Sequence, residues 1–133
     1  MEEPGISSRQ GKVQADAMTS AIDSEMLSMT LDAVQRFAAD AMPEKLLLDL
    51  DADEEFPVNL VRDLCGETIG IQLLFIPEEY GGMGGGAFDV YRVCEAMARV
   101  DLGIATGVLA TFLGSDPIRV GGTPEQQSHW MSR

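Results

Sequence analysis

Five glycines fall within residues 81–86, directly after a proline, two glutamates and a tyrosine at 77–80. The apolar run 71–76 must be extended or turning where it reaches Pro77, because proline fixes its own φ and restricts the residue before it. Glycine tolerates positive φ and lets other groups approach the backbone closely. A helical pattern resumes at Phe88. The sequence therefore predicts a shaped glycine loop that crosses between helical segments.

Helical periodicity precedes this loop. Apolar residues spaced by three or four predict an amphipathic helix that begins at Asp23 or Ser24 as N-cap and stops near Pro43. A short helix is expected at 44–50. Residues 1–21 contain proline, glycines and scattered charge without periodicity, so a mobile N-terminal arm is expected there. The remaining residues, 22–133, are expected to form one helical domain.

Further helices are expected on both sides of the loop. Pro57 suits the first turn of one helix, and Gly70 is placed to end it. Residues 88–101 carry an apolar stripe at helical spacing. Residues 104–113 are apolar almost all round, as expected of a central helix. Gly114 should end that segment.

The last part of the chain has clear helix signals. Pro117 is expected to start a short turn that the glycines at 121–122 break. Thr123 is then predicted as N-cap, with Pro124 at the first helical position and Gln126 closing a capping box. A helix that begins well and stops at 133 suggests a truncated chain. The fold class predicted is all-α, an irregular bundle of about five to six helices with the glycine-rich loop crossing one end.

Composition limits the partners. The chain has 133 residues, 22 acidic and 9 basic, with a net charge of −13, which argues against nucleic-acid phosphate or an anionic membrane surface as a partner. No signal peptide and no apolar run of about 18 residues is seen, so a soluble cytoplasmic protein is expected. Cys65 and Cys94 match no metal spacing and are expected to be buried thiols.

Several chemical patterns are weak. Residues 82–87 satisfy the G-x-G-x-x-G/A fingerprint formally, but Pro77 and its followers separate them from any strand, and no second parallel strand follows. The acidic cluster at 49–55 lacks the glycine and glutamate that an EF-hand requires.

His129 is the only histidine and is expected on the surface, with Trp130 beside it as a packing residue. Glu78 and Glu79 lie on a loop that offers no dry pocket for acid–base work.

A family resemblance rests on several motifs in order. Pro-Glu-Glu-Tyr-Gly-Gly-x-Gly at 77–84 resembles a loop in the N-terminal helical domain of the acyl-CoA dehydrogenase family. The flanking motifs agree with that family: Phe56-Pro57, Phe88, Glu95, the segment 114–118 and the segment 122–127. The resemblance covers residues 24–133. It implies an all-α domain that leads into further domains in the family.

The resemblance also implies a binding role. In that family the acyl tail of the thioester lies against the two helices after this loop, and the alignment puts Ala105, Thr106 and Leu109 beside it. Leu109 would make the lining apolar where some members have polar or acidic groups. Small residues on the two helices could also leave a slot for an alkyl chain, although periodicity alone favours tight packing without one.

The family's FAD-binding β-domain and the second helical domain, which usually supplies a glutamate base, are not present in this sequence. The resemblance therefore implies no catalytic residue here and no activity of the isolated chain, with FAD and acyl-CoA belonging to a complete enzyme. Family members often form homo-oligomers. The alternative is a non-catalytic helical module, derived from the same family, that binds a protein partner through exposed helix faces.

Overall fold

The computed structural model describes residues 21–66 and 68–132, which form six α-helices and two 3₁₀ turns with no β-strand among them. The elements in chain order are α1 (Ser24–Ala41), α2 (Glu44–Ala52), α3 (Val58–Cys65), a first 3₁₀ turn (Ile71–Phe75), a second 3₁₀ turn (Glu78–Tyr80), α4 (Ala87–Ala98), α5 (Leu102–Gly121) and α6 (Pro124–Met131). The predicted all-α fold is confirmed. The predicted arm lies outside the described residues, except for Ala21.

Local capping explains where the first and last helices begin. The Oδ1 atom of Asp23 accepts a hydrogen bond of 2.8 Å from the N–H of Met26, which satisfies one of the free donors in the first turn of α1. At α6, the N–H of Thr123 donates to Gln126 Oε1 at 2.8 Å, and the Gln126 N–H donates to Thr123 Oγ1 at 3.3 Å. Both predicted starts are confirmed.

Helix α3 is shorter than predicted, because it ends at Cys65 and not near Gly70. The chain leaves the helix at Gly66, whose backbone is extended while its N–H still donates to the carbonyl of Arg62 at 2.7 Å. Gly70 instead adopts positive φ, at 70°, and precedes the first 3₁₀ turn. Gly66 thus ends α3 four residues before Gly70, and glycine inside a helix lowers its stability.

The apolar run that ends at Pro77 is a helical turn and not a strand. Ile71, Leu74 and Phe75 are buried while Leu73 is exposed, a spacing of three that suits a 3₁₀ turn. Ile76 alone is extended before the proline, with φ −95° and ψ 132°, as the sequence predicts for that position.

Helix α5 runs unbroken through Gly114 and Pro117, so the predicted end at Gly114 is wrong. Proline has no N–H to donate to the carbonyl four residues back, which belongs to Leu113. Leu113 is 66% exposed and therefore lies on the solvent side of α5, where the helix continues without that hydrogen bond. The two predicted segments are therefore one 20-residue helix.

The core lies where α4, α5 and the first 3₁₀ turn meet, with α1 and α3 packed around them. Its most completely buried apolar side chains are Leu64, Ile71, Leu74, Val93 and Val108. Each such side chain contributes about 1.5–3 kcal/mol relative to its exposed state. The rings of Phe75 and Phe112, with centroids 4.9 Å apart, extend the core toward the second half of α5.

Candidate functional site

The backbone N–H groups of the glycine loop, residues 81–86, all donate hydrogen bonds to acceptors within the protein. The N–H groups of Met83, Gly84 and Gly85 donate to the carbonyls of Leu73, Ile76 and Leu74 at 2.7, 2.9 and 2.9 Å. The N–H groups at 81, 82 and 86 also have internal acceptors. A phosphate cradle requires N–H groups directed at the ligand. The glycine loop therefore does not fit the pyrophosphate of a dinucleotide such as FAD.

Close packing accounts for two of these glycines. A Cβ atom added at Gly82 would lie 2.0 Å from the carbonyl oxygen of Ile76, and one added at Gly85 would lie 2.6 Å from Leu74 Cδ1. Such contacts are not tolerated, so only glycine lets the loop lie against the first 3₁₀ turn. The loop is a tight backbone crossing at the start of α4.

Tyr80 ties the second 3₁₀ turn to the end of the bundle. Its hydroxyl donates to Gln127 Oε1 at 3.2 Å. Gln127 Nε2 donates in turn to the carbonyls of Ile118 and Arg119 in the last turn of α5, at 3.3 and 2.9 Å. The carbonyl of Arg119 lies in the last turn, where a helix leaves carbonyls without an intrahelical donor, whereas the carbonyl of Ile118 also accepts the N–H of Gly122 at 2.9 Å. By contrast, the side chain of Glu78, like that of the glutamate after it, is exposed.

The three residues predicted to border an acyl tail lie on two sides of α5. Ala105 is buried in the core at 5% exposure. Thr106 is exposed, and its Oγ1 donates to the carbonyl of Leu102 at 2.8 Å. Leu109 is partly buried. Thr106 and Leu109 are neighbours at i, i+3 on the outer side, whereas Ala105 faces inward.

An apolar stripe runs along that outer side of α5. The α5 stripe consists of Leu102, Thr106, Leu109, Leu113 and Val120, spaced by four, three, four and seven residues. Leu102 and Val120 are 69% and 73% exposed, so the predicted central helix is buried on one side only. The stripe is about 27 Å long at 1.5 Å per residue. Leu102, Thr106, Leu113 and Val120 are exposed and Leu109 is partly buried, so the α5 stripe is a candidate binding or interaction surface.

Gly107 shows where a small residue of α5 is used. A Cβ atom added there would lie 3.0 Å from Val61 Cγ2 and 3.1 Å from Phe56 Cζ. The missing side chain thus lets α3 and the phenyl ring before it approach α5. Gly107 therefore does not help to form a slot between α4 and α5.

Both cysteines are free and partly buried. Burial raises the pKa of the Cys65 thiol, and a hydrogen bond with Thr111 opposes that rise in part. Burial also raises the pKa of the Cys94 thiol. A nucleophilic cysteine requires a lowered pKa, so neither thiol has the properties of a reactive group.

An acidic cavity of about 260 Å³ lies between the end of α2 and the start of α5. Its lining consists of Leu47, Leu50, Asp51, Glu54, Glu55, Pro57, Asp101, Gly103 and Ile104. The residues predicted to border an acyl tail are not among them. Within residues 21–66 and 68–132, no three His, Cys, Asp or Glu side chains are grouped so that they could hold a metal ion.

The surface of α6 differs in part from the prediction. His129 is exposed, as predicted. Trp130 is 59% exposed and contacts His129 edge-on, with ring centroids 4.8 Å apart, so its prediction as a packing residue is wrong. Met131 is the buried side chain of α6, at 4% exposure.

Sequence reasoning missed the buried Asp89 in the first turn of α4. The available signal was its place three residues after Gly86, where a carboxylate can accept the N-cap N–H.

No described helix is long and apolar enough to cross a lipid bilayer.

Comparisons with known proteins agree with these observations. The model of the family described as acyl-CoA dehydrogenase, N-terminal domain, matches residues 24–133. A (2S)-methylsuccinyl-CoA dehydrogenase from Cereibacter sphaeroides is 29% identical over 109 residues, which are 82% of this chain and 20% of that protein. A cyclohex-1-ene-1-carbonyl-CoA dehydrogenase from Geobacter metallireducens is 30% identical over 109 residues, 82% of this chain and 28% of that protein.

A third relative is a probable medium-chain specific acyl-CoA dehydrogenase from Caenorhabditis briggsae, 27% identical over 81 residues, 61% of this chain and 19% of that protein. The matched region thus spans between about a fifth and just over a quarter of the length of these relatives. No solved structure matches the chain. Because the family model covers nearly all of the described residues, the chain belongs to the acyl-CoA dehydrogenase family, through that family's N-terminal domain.

Proposed function

We propose that this chain walls part of the acyl-tail pocket of a flavin-dependent acyl-CoA dehydrogenase, which carries out α,β-dehydrogenation of an acyl-CoA thioester in fatty-acid metabolism. The chain by itself is inactive in this proposal and supplies no catalytic residue. A cytoplasmic location and assembly into a homo-oligomer belong to the same proposal. The observation that carries it is the exposed α5 stripe in a domain of this family.

The proposed contact to the acyl tail is made by the outer side of α5. Thr106 and Leu109 would border the tail, with Ala105 behind them in the core. The hydroxyl of Thr106 already donates to the carbonyl of Leu102, so its methyl group is the part left for an apolar ligand. Each methylene of the tail that leaves water would contribute about 0.8 kcal/mol. The role of these residues is thus to bind the tail and exclude water.

Flavin, when bound in such an enzyme, supplies the electron chemistry. The glycine loop does not fit its pyrophosphate, since the N–H groups of the loop are used internally. The proposal therefore assigns FAD binding to residues outside the glycine loop. It also assigns the base that removes the α-proton elsewhere, since Glu78 and Glu79 are exposed to water.

A first experiment tests the chain alone. The purified chain is mixed with FAD and a medium- or long-chain acyl-CoA, and bound yellow chromophore and dye reduction are measured. We expect neither signal. Dye reduction by the isolated chain would contradict the proposal.

A second experiment tests whether Leu109 lines the acyl-tail pocket. If the reading frame in genomic DNA continues past Arg133, the longer product is expressed, and it should bind FAD and reduce dye. Leu109→Trp in that product should lower kcat/KM for dodecanoyl-CoA at least 10-fold more than for butanoyl-CoA, because the larger side chain removes space from the end of the tail. Val120→Trp, on the same stripe but away from the predicted tail, is the matched control. Equal losses for both substrates would contradict the assignment of Leu109.

The exposed side chains of Leu113, Val120 and Trp130 also favour a second candidate function, a non-catalytic module that binds a protein partner. The longer product separates the two functions. An inactive, FAD-free longer product that still folds would favour the interaction module.

A further inference from the structure

Asp89 is the one carboxylate that is fully buried among the residues that the structure describes, with 0% exposure. It lies in the first turn of α4, directly after the glycine loop. A buried charge is costly unless hydrogen bonds compensate it. The donors around this carboxylate therefore indicate what it does.

Its Oδ2 atom accepts hydrogen bonds from two parts of the chain, one near it in sequence and one distant. The N–H of Gly86, at the end of the glycine loop, donates at 2.8 Å. The N–H of Ala21 donates at 2.8 Å and that of Ile22 at 3.3 Å, from a segment 67–68 residues away in sequence. Hydrogen bonds from N–H groups to a charged acceptor are stronger than neutral ones. One carboxylate thus joins the residues before α1 to the start of α4.

The joined segment also enters the core. Ile22 is 7% exposed and belongs to the core cluster, together with Leu27 of α1. These two residues flank the N-cap Asp23 at the positions where an apolar pair fixes the direction of the chain into a helix. The position of Ile22 therefore governs how α1 begins.

We propose that Asp89 is a buried clasp that holds residues 21–22 and the end of the glycine loop together and so fixes α1 against α4. The clasp does not depend on an acyl ligand or on flavin. It acts through backbone N–H groups that belong to no helix ladder. These N–H groups should consequently be protected from solvent although they lie outside the helices.

Amide hydrogen exchange of the full ¹⁵N-labelled chain, followed by NMR, tests the clasp. In the wild-type chain, the N–H groups of Ala21, Ile22 and Gly86 should exchange at least about 100-fold more slowly than in an unstructured peptide. Asp89→Leu removes the acceptor. It should accelerate exchange of these three amides at least about 10-fold more than it accelerates exchange of the Val108 amide in the core. Asp89→Asn keeps one acceptor oxygen and should restore part of the protection.

Asp32→Asn, an exposed aspartate on α1, is the matched control and should change none of these rates. Exchange of Ala21 and Ile22 at the unprotected rate in the wild-type chain would overturn the proposal without any variant. Equal acceleration at Val108 and at the clasped amides would also overturn it, since that result indicates a general loss of stability. Should Asp89→Leu fail to fold, the wild-type rates and Asp89→Asn decide.

Discussion

Replacement of Gly82 by alanine is expected to be the most damaging single-methyl change in the glycine loop. The added Cβ atom would lie 2.0 Å from the carbonyl oxygen of Ile76 and 2.5 Å from Ile76 Cβ. Contacts of a Cβ atom below 3.0 Å are essentially never seen, so the backbone at Gly82 and the backbone at Ile76 must separate by about 1 Å. The backbone conformation of Gly82 is not the cause, since its φ is not among the positive values.

The loss of stability follows from what that separation disturbs. Overpacking of this kind costs about 1–3 kcal/mol. The displaced carbonyl of Ile76 also accepts the N–H of Gly84 at 2.9 Å, and a lost hydrogen bond adds about 0.5–1.5 kcal/mol. We therefore expect Gly82→Ala to lower the free energy of unfolding by about 3 kcal/mol.

Urea denaturation followed by far-ultraviolet circular dichroism measures this loss. With a slope of about 1.5 kcal/mol per molar urea for a domain of this size, the midpoint should fall by about 2 M. Two glycines with nothing within 4 Å of an added Cβ serve as controls. Gly81→Ala, at φ 86°, should cost about 1–2 kcal/mol because of its left-handed backbone alone. Gly114→Ala, inside α5, should stabilise the chain by about 0.5–1 kcal/mol.

The reasoning is refuted if Gly82→Ala shifts the midpoint by less than about 0.5 M. It is also refuted if Gly81→Ala is the more damaging of the two, because backbone conformation would then outweigh close packing in the loop.

Three further measurements test other parts of the chain. Thr123→Ala should lower the free energy of unfolding by about 1 kcal/mol, because the N–H of Gln126 loses its acceptor, whereas Thr123→Ser should be nearly neutral. Leu64→Ala should cost about 3 kcal/mol in urea denaturation, and Leu64→Met less than about 1.5. Burial raises the pKa of the Cys65 and Cys94 thiols above the value in the unfolded chain. Their contribution to stability is therefore present below the unfolded pKa and is lost as the pH rises through the folded pKa. The melting temperature should consequently fall as the pH rises above about 9.

The helix starts that are set by hydrogen bonds between residues close in sequence could be predicted. The starts of α1 and α6 are set by Asp23 and Thr123, whose acceptors lie within three residues of their donors. The end of α3 could not be predicted, because Gly66 and Gly70 carry the same local signal and packing decides between them. The continuity of α5 through Pro117 could not be predicted either, because proline signals a break locally and the sequence does not reveal that Leu113, four residues before it, is exposed.

The candidate site was predictable to a smaller extent. The resemblance selected Ala105, Thr106 and Leu109, but periodicity in a helix that is apolar almost all round cannot tell which side is buried. The structure puts Ala105 in the core and Thr106 in solvent. The sequence offers only one local signal for Asp89, its place three residues after Gly86, and its other two donors, 67 and 68 residues distant, follow from no local pattern.

The glycine loop and the α5 stripe together limit how this domain can act. The density of glycine invites a ligand-binding interpretation, yet each N–H from Gly81 to Gly86 already has an acceptor inside the protein. A ligand at the loop would have to break bonds that hold the first 3₁₀ turn in place. The α5 stripe, in contrast, exposes Leu113 and Val120 to water, so an apolar ligand or partner that covers these side chains gains free energy from their burial. Binding by this domain is therefore expected on α5, with the loop as the fixed end of its scaffold.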